Sequence, residues 1–227
     1  ETQARLYLET GMAYLDQGLL GQAEEKFLEA ISIDENCHLA VLGLGELYLL
    51  RSSWTTSLEH FVDFTNLQPD DYRGYYGLAR LYLQLDKPDS ALMMADSAFL
   101  LSPTTPEIWL LSGRAALLLG DTLSAELWFT KGMDEDGPLS MESLVLLGSV
   151  YRTTGRGPLA RELLLPAAES GYSPAWWELA RLYLGWQDYM RAGDAISCYL
   201  ILSPEDDLLD SAHLVLDELG ESGSYMP

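Results

Sequence analysis

The chain has 227 residues, of which 48% are hydrophobic, so it can bury a large core and does not have the composition of a disordered segment. Its 35 acidic residues outnumber its 13 basic ones, and the net charge of −22 argues against nucleic acids and anionic membranes as partners. No apolar run reaches about 18 residues, so the sequence predicts no membrane span.

A small residue followed three positions later by an aromatic one recurs along the chain, first in TGMAY at Gly11 and Tyr14. The motif returns in register at Gly45, Ala79, Gly113, Gly148 and Ala180, and Tyr follows in all but the fourth copy. The spacing predicts six repeats of about 34 residues. Their expected bounds are 4–37, 38–71, 72–105, 106–140, 141–172 and 173–206.

Each repeat carries the pattern of two amphipathic helices. In the third repeat, Tyr75, Leu78, Ala79 and Tyr82 have the spacing i, i+3, i+4, i+7, which places them on one helix face. The segment LDKPDSA at 85–91 ends this helix and starts the next one. A small residue at the eighth position lets the two helices approach closely, and each pair buries its face only against its neighbours.

This pattern resembles the tetratricopeptide repeat family, which has a large residue, Leu-Gly and Tyr in its first helix and Ala, Phe and Pro in its second. The matching second-helix positions hold Ala23, Ala91, Ala125, Ala160 and Ala192, then Phe27, Phe61 and Phe129, and finally Pro69, Pro103 and Pro204. The resemblance implies an all-α, right-handed solenoid of six helix-turn-helix repeats in a single domain, 1–227. The last two repeats also look similar to Sel1-like repeats.

A further amphipathic helix is predicted at about 205–220, after the sixth repeat. Leu208, Ala212, Val215 and Leu219 form its apolar stripe, and its acidic residues face away from that stripe. We expect it to cap the end of the repeat stack.

The sequence contains no constellation that favours catalysis. It has no phosphate-binding loop, nucleophile elbow or metalloprotease motif, and its three histidines lack the spacing of metal ligands. We therefore predict no catalytic residues, no metal, no cofactor and no enzymatic activity.

The candidate binding site follows from the resemblance. In tetratricopeptide repeat proteins, positions 2, 5, 9, 12 and 13 of each first helix line a concave groove, and six of the 13 basic residues fall on these positions here. The candidate groove residues are Arg73, Tyr76, Arg80, Leu83, Arg114, Leu117, Arg152, Trp177, Arg181 and Leu184. The resemblance implies that they bind a peptide or protein segment, with arginines on carboxylates and the apolar residues on side chains. The alternative is that the arginines pair with the chain's own carboxylates, as Arg80 could with Glu46.

A second hypothesis is that copies of the chain assemble into a homo-oligomer or an extracellular filament. Cys37 and Cys198 lie in the first and last repeats, too far apart for a disulfide within one chain, so a disulfide between copies is the alternative to two free thiols. The start at Glu1 and the presence of only three lysines favour an exported protein of the bacterial periplasm or extracellular space over a cytoplasmic one.

Overall fold

The structure is a computed structural model that describes residues 2–133, 138–203 and 208–221, and these residues form helices joined by turns without a strand. The helices are α1 (Thr2–Asp16), α2 (Leu20–Ile33), α3 (His38–Leu50), α4 (Trp54–Leu67), α5 (Tyr72–Gln84), α6 (Pro88–Leu101), α7 (Pro106–Leu118), α8 (Thr122–Met133), α9 (Pro138–Thr153), α10 (Gly157–Glu169), α11 (Ser173–Gly185), α12 (Tyr189–Leu202) and α13 (Leu209–Glu221). They form two compact units, unit 1 (Glu1–Gly120) and unit 2 (Asp121–Pro227).

Unit 1 has an inner and an outer layer of helices. The first helices of successive repeats, α1, α3, α5 and α7, pack side by side. The second helices, α2, α4 and α6, each pack against the first helices before and after them, and within the described part of the unit they do not contact one another. The first helices are therefore the inner layer, whose exposed surface we call the first-helix face; the opposite surface is the second-helix face.

Unit 2 repeats this arrangement. Helices α9 and α11 pack side by side and form its first-helix face, while α10 packs on both of them and α12 packs on α11. The core here contains Leu164, Leu179, Ile196 and Tyr199, all fully buried. The final helix, α13, packs on α12.

Phenylalanine rings in unit 1 are held between glycines of two first helices. A Cβ atom on Gly45 of α3 would come 2.7 Å from the ring of Phe61, and one on Gly77 of α5 would also lie inside van der Waals distance of it. Phe27 is held in the same way between Gly11 and Gly43. The small residues of the repeat pattern thus permit the close helix approach that the sequence predicts.

The turn inside each predicted repeat uses a left-handed backbone conformation at the same position. Glycine occupies this position in three repeats, at Gly18, Gly120 and Gly155. Ser52, Asp86 and Gln187 occupy it in the others, with φ of 57°, 53° and 60°. Since a side chain makes this conformation costly, its recurrence shows that the turn geometry is imposed by the packing of the helix pair.

The predicted all-α fold of stacked helix-turn-helix repeats is confirmed within each unit, and the single domain with its repeat bounds stays a prediction. Pro204, the end of the sixth repeat at 206 and the predicted start of the cap helix lie outside the described residues, as do residues 134–137 near the end of the fourth repeat. Ala212 and Leu219 of the cap are buried, as predicted, but Leu208 is exposed because α13 begins only at Leu209.

Candidate functional site

Two arginines of unit 2 converge on one buried carboxylate. Arg152 of α9 donates from Nε to Oε2 of Glu178 at 3.0 Å, and Arg181 of α11 donates from Nη1 to Oε1 at 2.8 Å. Glu178 is 8% exposed, and the side chains of Arg152 and Arg181 are 18% and 46% exposed. We call these three residues the arginine cluster.

Local sequence explains how the cluster forms. Pro174 lies in the first turn of α11, and Glu178 and Arg181 follow with i, i+3 spacing, so their side chains meet on one face of that helix. Arg152 lies in the last turn of α9, where the helix dipole favours a cation. The side-by-side packing of α9 and α11 brings Arg152 to the same carboxylate.

The electrostatics of the cluster leave a positive charge near the surface. A buried carboxylate is stable only when it is paired, and Arg152, the more buried arginine, supplies that pairing. Arg181 adds a second charge to a carboxylate that is already matched, so the cluster carries a net charge of +1. Since a guanidinium has five N–H donors and Glu178 accepts from one nitrogen of Arg181, this side chain can still bind another anion.

Two other candidate residues provide an apolar surface beside Arg181. Trp177 and Leu184 lie four residues before it and three residues after it on α11, and both pack half-buried against the core of unit 2. The Trp177 ring lies 5.5 Å from that of Tyr199, tilted by 39°, and this contact fixes its orientation.

Two candidate arginines of unit 1, Arg80 and Arg73, are each paired with one acid. Arg80 donates from Nη1 to Oε2 of Glu46 at 2.5 Å, and its guanidinium lies 5.6 Å from the ring centroid of Tyr76. Burial raises the pKa of the Tyr76 hydroxyl. Arg73 pairs with Asp71, whose side chain also caps the start of α5, and this ion pair lowers the pKa of the Asp71 carboxyl.

The remaining candidates of unit 1 differ in exposure. Leu83 is half-buried and packs against the cluster that contains Ala79 and Leu111. Leu117 is half-buried and Arg114 is exposed, both on α7. The expected pairing of Arg80 with Glu46 is therefore present, whereas Leu83 contributes to packing more than to an exposed lining.

Sequence reasoning missed Glu178, since it occupies position 6 of its repeat, outside the groove positions. Position 6 holds Gly43 and Gly77 in unit 1, where a phenylalanine ring fills the space. The preceding second helix of unit 2 carries Leu164 at the phenylalanine position, and this smaller side chain leaves room for a longer residue. The i, i+3 spacing of Glu178 and Arg181 is the signal that could have identified the pair.

Neither cysteine is bonded within the single chain, and the disulfide between copies through Cys37 and Cys198 stays a prediction. Cys37 and Cys198 are half-buried free thiols, and burial raises the pKa of the Cys198 thiol. Within the described ranges, no three metal-binding side chains come together. None of the helices described is both long and apolar enough to span a bilayer.

Sequence comparison identifies the repeats. Family models of the tetratricopeptide repeat match residues 4–37 and 76–138. These two segments are therefore tetratricopeptide repeats. No curated protein sequence matches the chain. The Sel1-like character expected in its last two repeats stays a prediction.

Solved structures show the same fold over nearly the whole chain. PilW, described as a type IV pilus biogenesis factor, is 16% identical to this chain, with a TM-score of 0.81. The match covers 93% of this chain and 98% of the PilW chain. PilF of Pseudomonas aeruginosa is 16% identical with a TM-score of 0.78 and covers 97% and 98%. A chain of the Cut9–Hcn1 complex of the APC/C is 18% identical, with a TM-score of 0.81. The match covers 95% of this chain but only 42% of the longer matched chain. At these identities the likeness establishes the fold alone.

Proposed function

We propose that this protein is a non-enzymatic scaffold that binds a peptide segment on the first-helix face of unit 2. A carboxylate of the segment pairs with Arg181, and apolar side chains pack on Trp177 and Leu184. The observation that carries the proposal is the arginine cluster, in which two guanidinium groups share one carboxylate. Repeat folds of this kind generally serve as protein-interaction scaffolds, which supports the assignment to binding.

Arg181 is a better site for a ligand carboxylate than the arginines that are each matched by one acid. A ligand carboxylate at Arg73 or Arg80 would have to displace Asp71 or Glu46. In unit 2, Glu126 already matches Arg156 with two hydrogen bonds of 2.9 and 2.7 Å. At Arg181 the incoming carboxylate gains a charge-assisted hydrogen bond while Arg152 keeps Glu178 paired.

We also propose that the protein works outside the cytoplasm of a bacterium. The low lysine content supports this location. Fractionation of cells that express the native gene would place the protein in the periplasm or medium, and a purely cytoplasmic signal would contradict the proposal.

The test begins with a selection of random peptides on the purified chain, each of about 12 residues, or about three turns when helical. The selected peptides are then titrated against the wild type and the Arg181→Gln variant. The control is Arg161→Gln, which removes an equal charge from an exposed position of α10 in the same unit. We expect Arg181→Gln to weaken binding roughly tenfold, the value of one charge-assisted hydrogen bond, and Arg161→Gln to leave it unchanged.

A matched change in the peptide identifies the contact. Replacing its acidic residue by the corresponding amide should weaken binding to the wild type and have no further effect on Arg181→Gln, because both changes remove the same interaction. Equal losses in the two arginine variants would show that only overall charge matters, and the proposal would then be wrong.

A further inference from the structure

The second-helix face of unit 1 contains an open apolar groove between α2 and α4, distinct from the arginine cluster. The groove has a volume of 460 Å³, and Leu28 and Ile31 of α2 form one wall. His60 and Leu67 of α4 form the other wall, above Leu44 of α3. It exists because the first helices pack side by side while α2 and α4 do not touch.

The α2 wall of this groove is apolar, whereas the α4 wall carries His60, Asp63 and Asn66 beside Leu67, and both walls remain in contact with solvent. Leu28 is 52% exposed, and Leu67 is exposed to a similar degree. The floor is well packed, since Leu44 is fully buried, and in the α4 wall the ring of His60 is stacked on that of Tyr48 with 5.4 Å between the ring centroids. A preformed apolar groove between two helices is the geometry that accepts the apolar face of a third helix.

The charges around the groove specify the partner. Helices α2 and α4 carry five acidic residues and one basic one. Glu24 accepts hydrogen bonds from Tyr48 and Arg51, and Glu29 pairs with Lys26. By contrast, Asp63 in the groove and Glu59 beside it form no ion pair with a described residue, although the charges of both act on the neighbouring His60.

The opposite face of the same unit has a different balance. The first helices α1, α3, α5 and α7 carry four arginines and four acids, so their net charge is zero. The second helices α2, α4 and α6 carry seven acids and one lysine. A cationic segment is therefore attracted to the second-helix face, and an acidic segment is repelled from it.

We infer that the groove between α2 and α4 docks a short, cationic amphipathic helix of a partner protein. Its apolar side chains lie against Leu28, Ile31 and Leu67, and its lysines or arginines approach Asp63 and Glu59. The wall from His60 to Leu67 spans about two helical turns, so the partner contributes anchors at i, i+3 or i+4, and i+7. This inference does not depend on the proposed function, which concerns unit 2.

The test uses a fluorescent peptide of about 14 residues, made of leucine and lysine with the leucines on one helix face. Binding is measured by anisotropy with the whole chain in about 150 mM salt, which screens diffuse attraction. We expect Asp63→Lys and Leu28→Lys to weaken binding roughly tenfold each. The matched controls are Asp89→Lys and Leu100→Lys on α6, where Leu100 is 82% exposed; each should change binding less than about threefold.

Two further peptides and a measurement of the mass in solution distinguish a cationic amphipathic helix from the other possible ligands of the groove. A peptide of equal composition with scattered leucines should bind at least about tenfold more weakly, since it lacks an apolar face. The inference would be overturned if the scattered peptide bound as tightly as the amphipathic one, or if the α6 controls lost as much affinity as the groove variants. Either result would show that only general electrostatic attraction holds the peptide. Tighter binding of a peptide with glutamate in place of lysine would also overturn it. Dimerisation of the wild type that Leu28→Lys abolishes would assign the groove to a second copy instead.

Discussion

The arginine sites on the two first-helix faces differ in their ratio of arginines to acids. In unit 1, Arg80 and Glu46 form a pair with no net charge. In unit 2, Arg152 and Arg181 share Glu178, which leaves one positive charge at the surface. A basic residue on the expected groove position is therefore not sufficient for anion binding, because its own neighbours decide whether its charge is available.

The depth of the acid also differs between the two sites. Glu178 is buried, whereas Glu46 is partly exposed. Removing a partner from a buried charge costs far more than removing one from a surface pair. Loss of Arg152 from the arginine cluster should therefore destabilise unit 2, whereas loss of one partner from the pair in unit 1 should cost little.

The largest expected effect is on stability. Arg152→Met should destabilise unit 2 by about 3 kcal/mol, because Glu178 would keep only the half-exposed Arg181 as its partner. Arg80→Met is the matched change in unit 1 and should cost no more than about 1 kcal/mol. Urea unfolding followed by circular dichroism compares the two variants, and equal losses would contradict the distinction between the sites.

A second change should make unit 1 resemble unit 2. Glu46→Gln releases Arg80 from its carboxylate and should create a second site for acidic peptides, with a gain of about 1.5 kcal/mol or more per charge-assisted hydrogen bond. Titration calorimetry would detect the change as an increase in stoichiometry. If the stoichiometry stays the same, pairing is not what keeps the unit 1 site from binding.

A smaller effect is expected at the turn that ends α11. Gln187 has a φ of 60°, where the side chain is unfavourable, so Gln187→Gly should stabilise unit 2 by about 1 kcal/mol. Because Gln187 is not part of the arginine cluster, peptide affinity should not change. The reverse substitution at the equivalent turn, Gly155→Gln, should lower the midpoint of thermal unfolding, and no change in either variant would rule out strain at this position.

The smallest expected effect is a dependence of the stability of unit 1 on pH. Burial lowers the pKa of His60 below its ordinary value of 6.5, against the opposing effects of Asp63 and Glu59. As the pH falls below 6.5, His60 takes up a proton in the unfolded chain before it does so in the folded chain. The free energy of unfolding therefore decreases, and it continues to decrease until the pH reaches the pKa of His60 in the folded chain. His60→Phe keeps a ring against Tyr48, and its stability should depend less on pH between about 7 and 5 than that of the wild type. Identical pH profiles would show that His60 does not titrate differently in the folded chain.

The helix pairs could be predicted from the sequence because their signals are local. The small residue, tyrosine, alanine and phenylalanine of each repeat report on contacts that recur with one spacing, such as Gly45 with Phe61. The arginine cluster could not be predicted from groove positions, because Arg152 and Glu178 are 26 residues apart and meet only when α9 packs beside α11. The family pattern indicates which positions face the groove. It does not indicate which acids of the chain pair with the arginines at those positions.

A charge swap can show whether a peptide carboxylate pairs with Arg181. The selected peptide and a copy with its acidic residue replaced by arginine are titrated against the wild type and Arg181→Glu. We expect either change alone to weaken binding by about tenfold or more and the two changes together to restore much of it. If the doubly changed pair binds no better than the single changes, or if Arg161→Glu restores binding equally well, the carboxylate does not bind at Arg181.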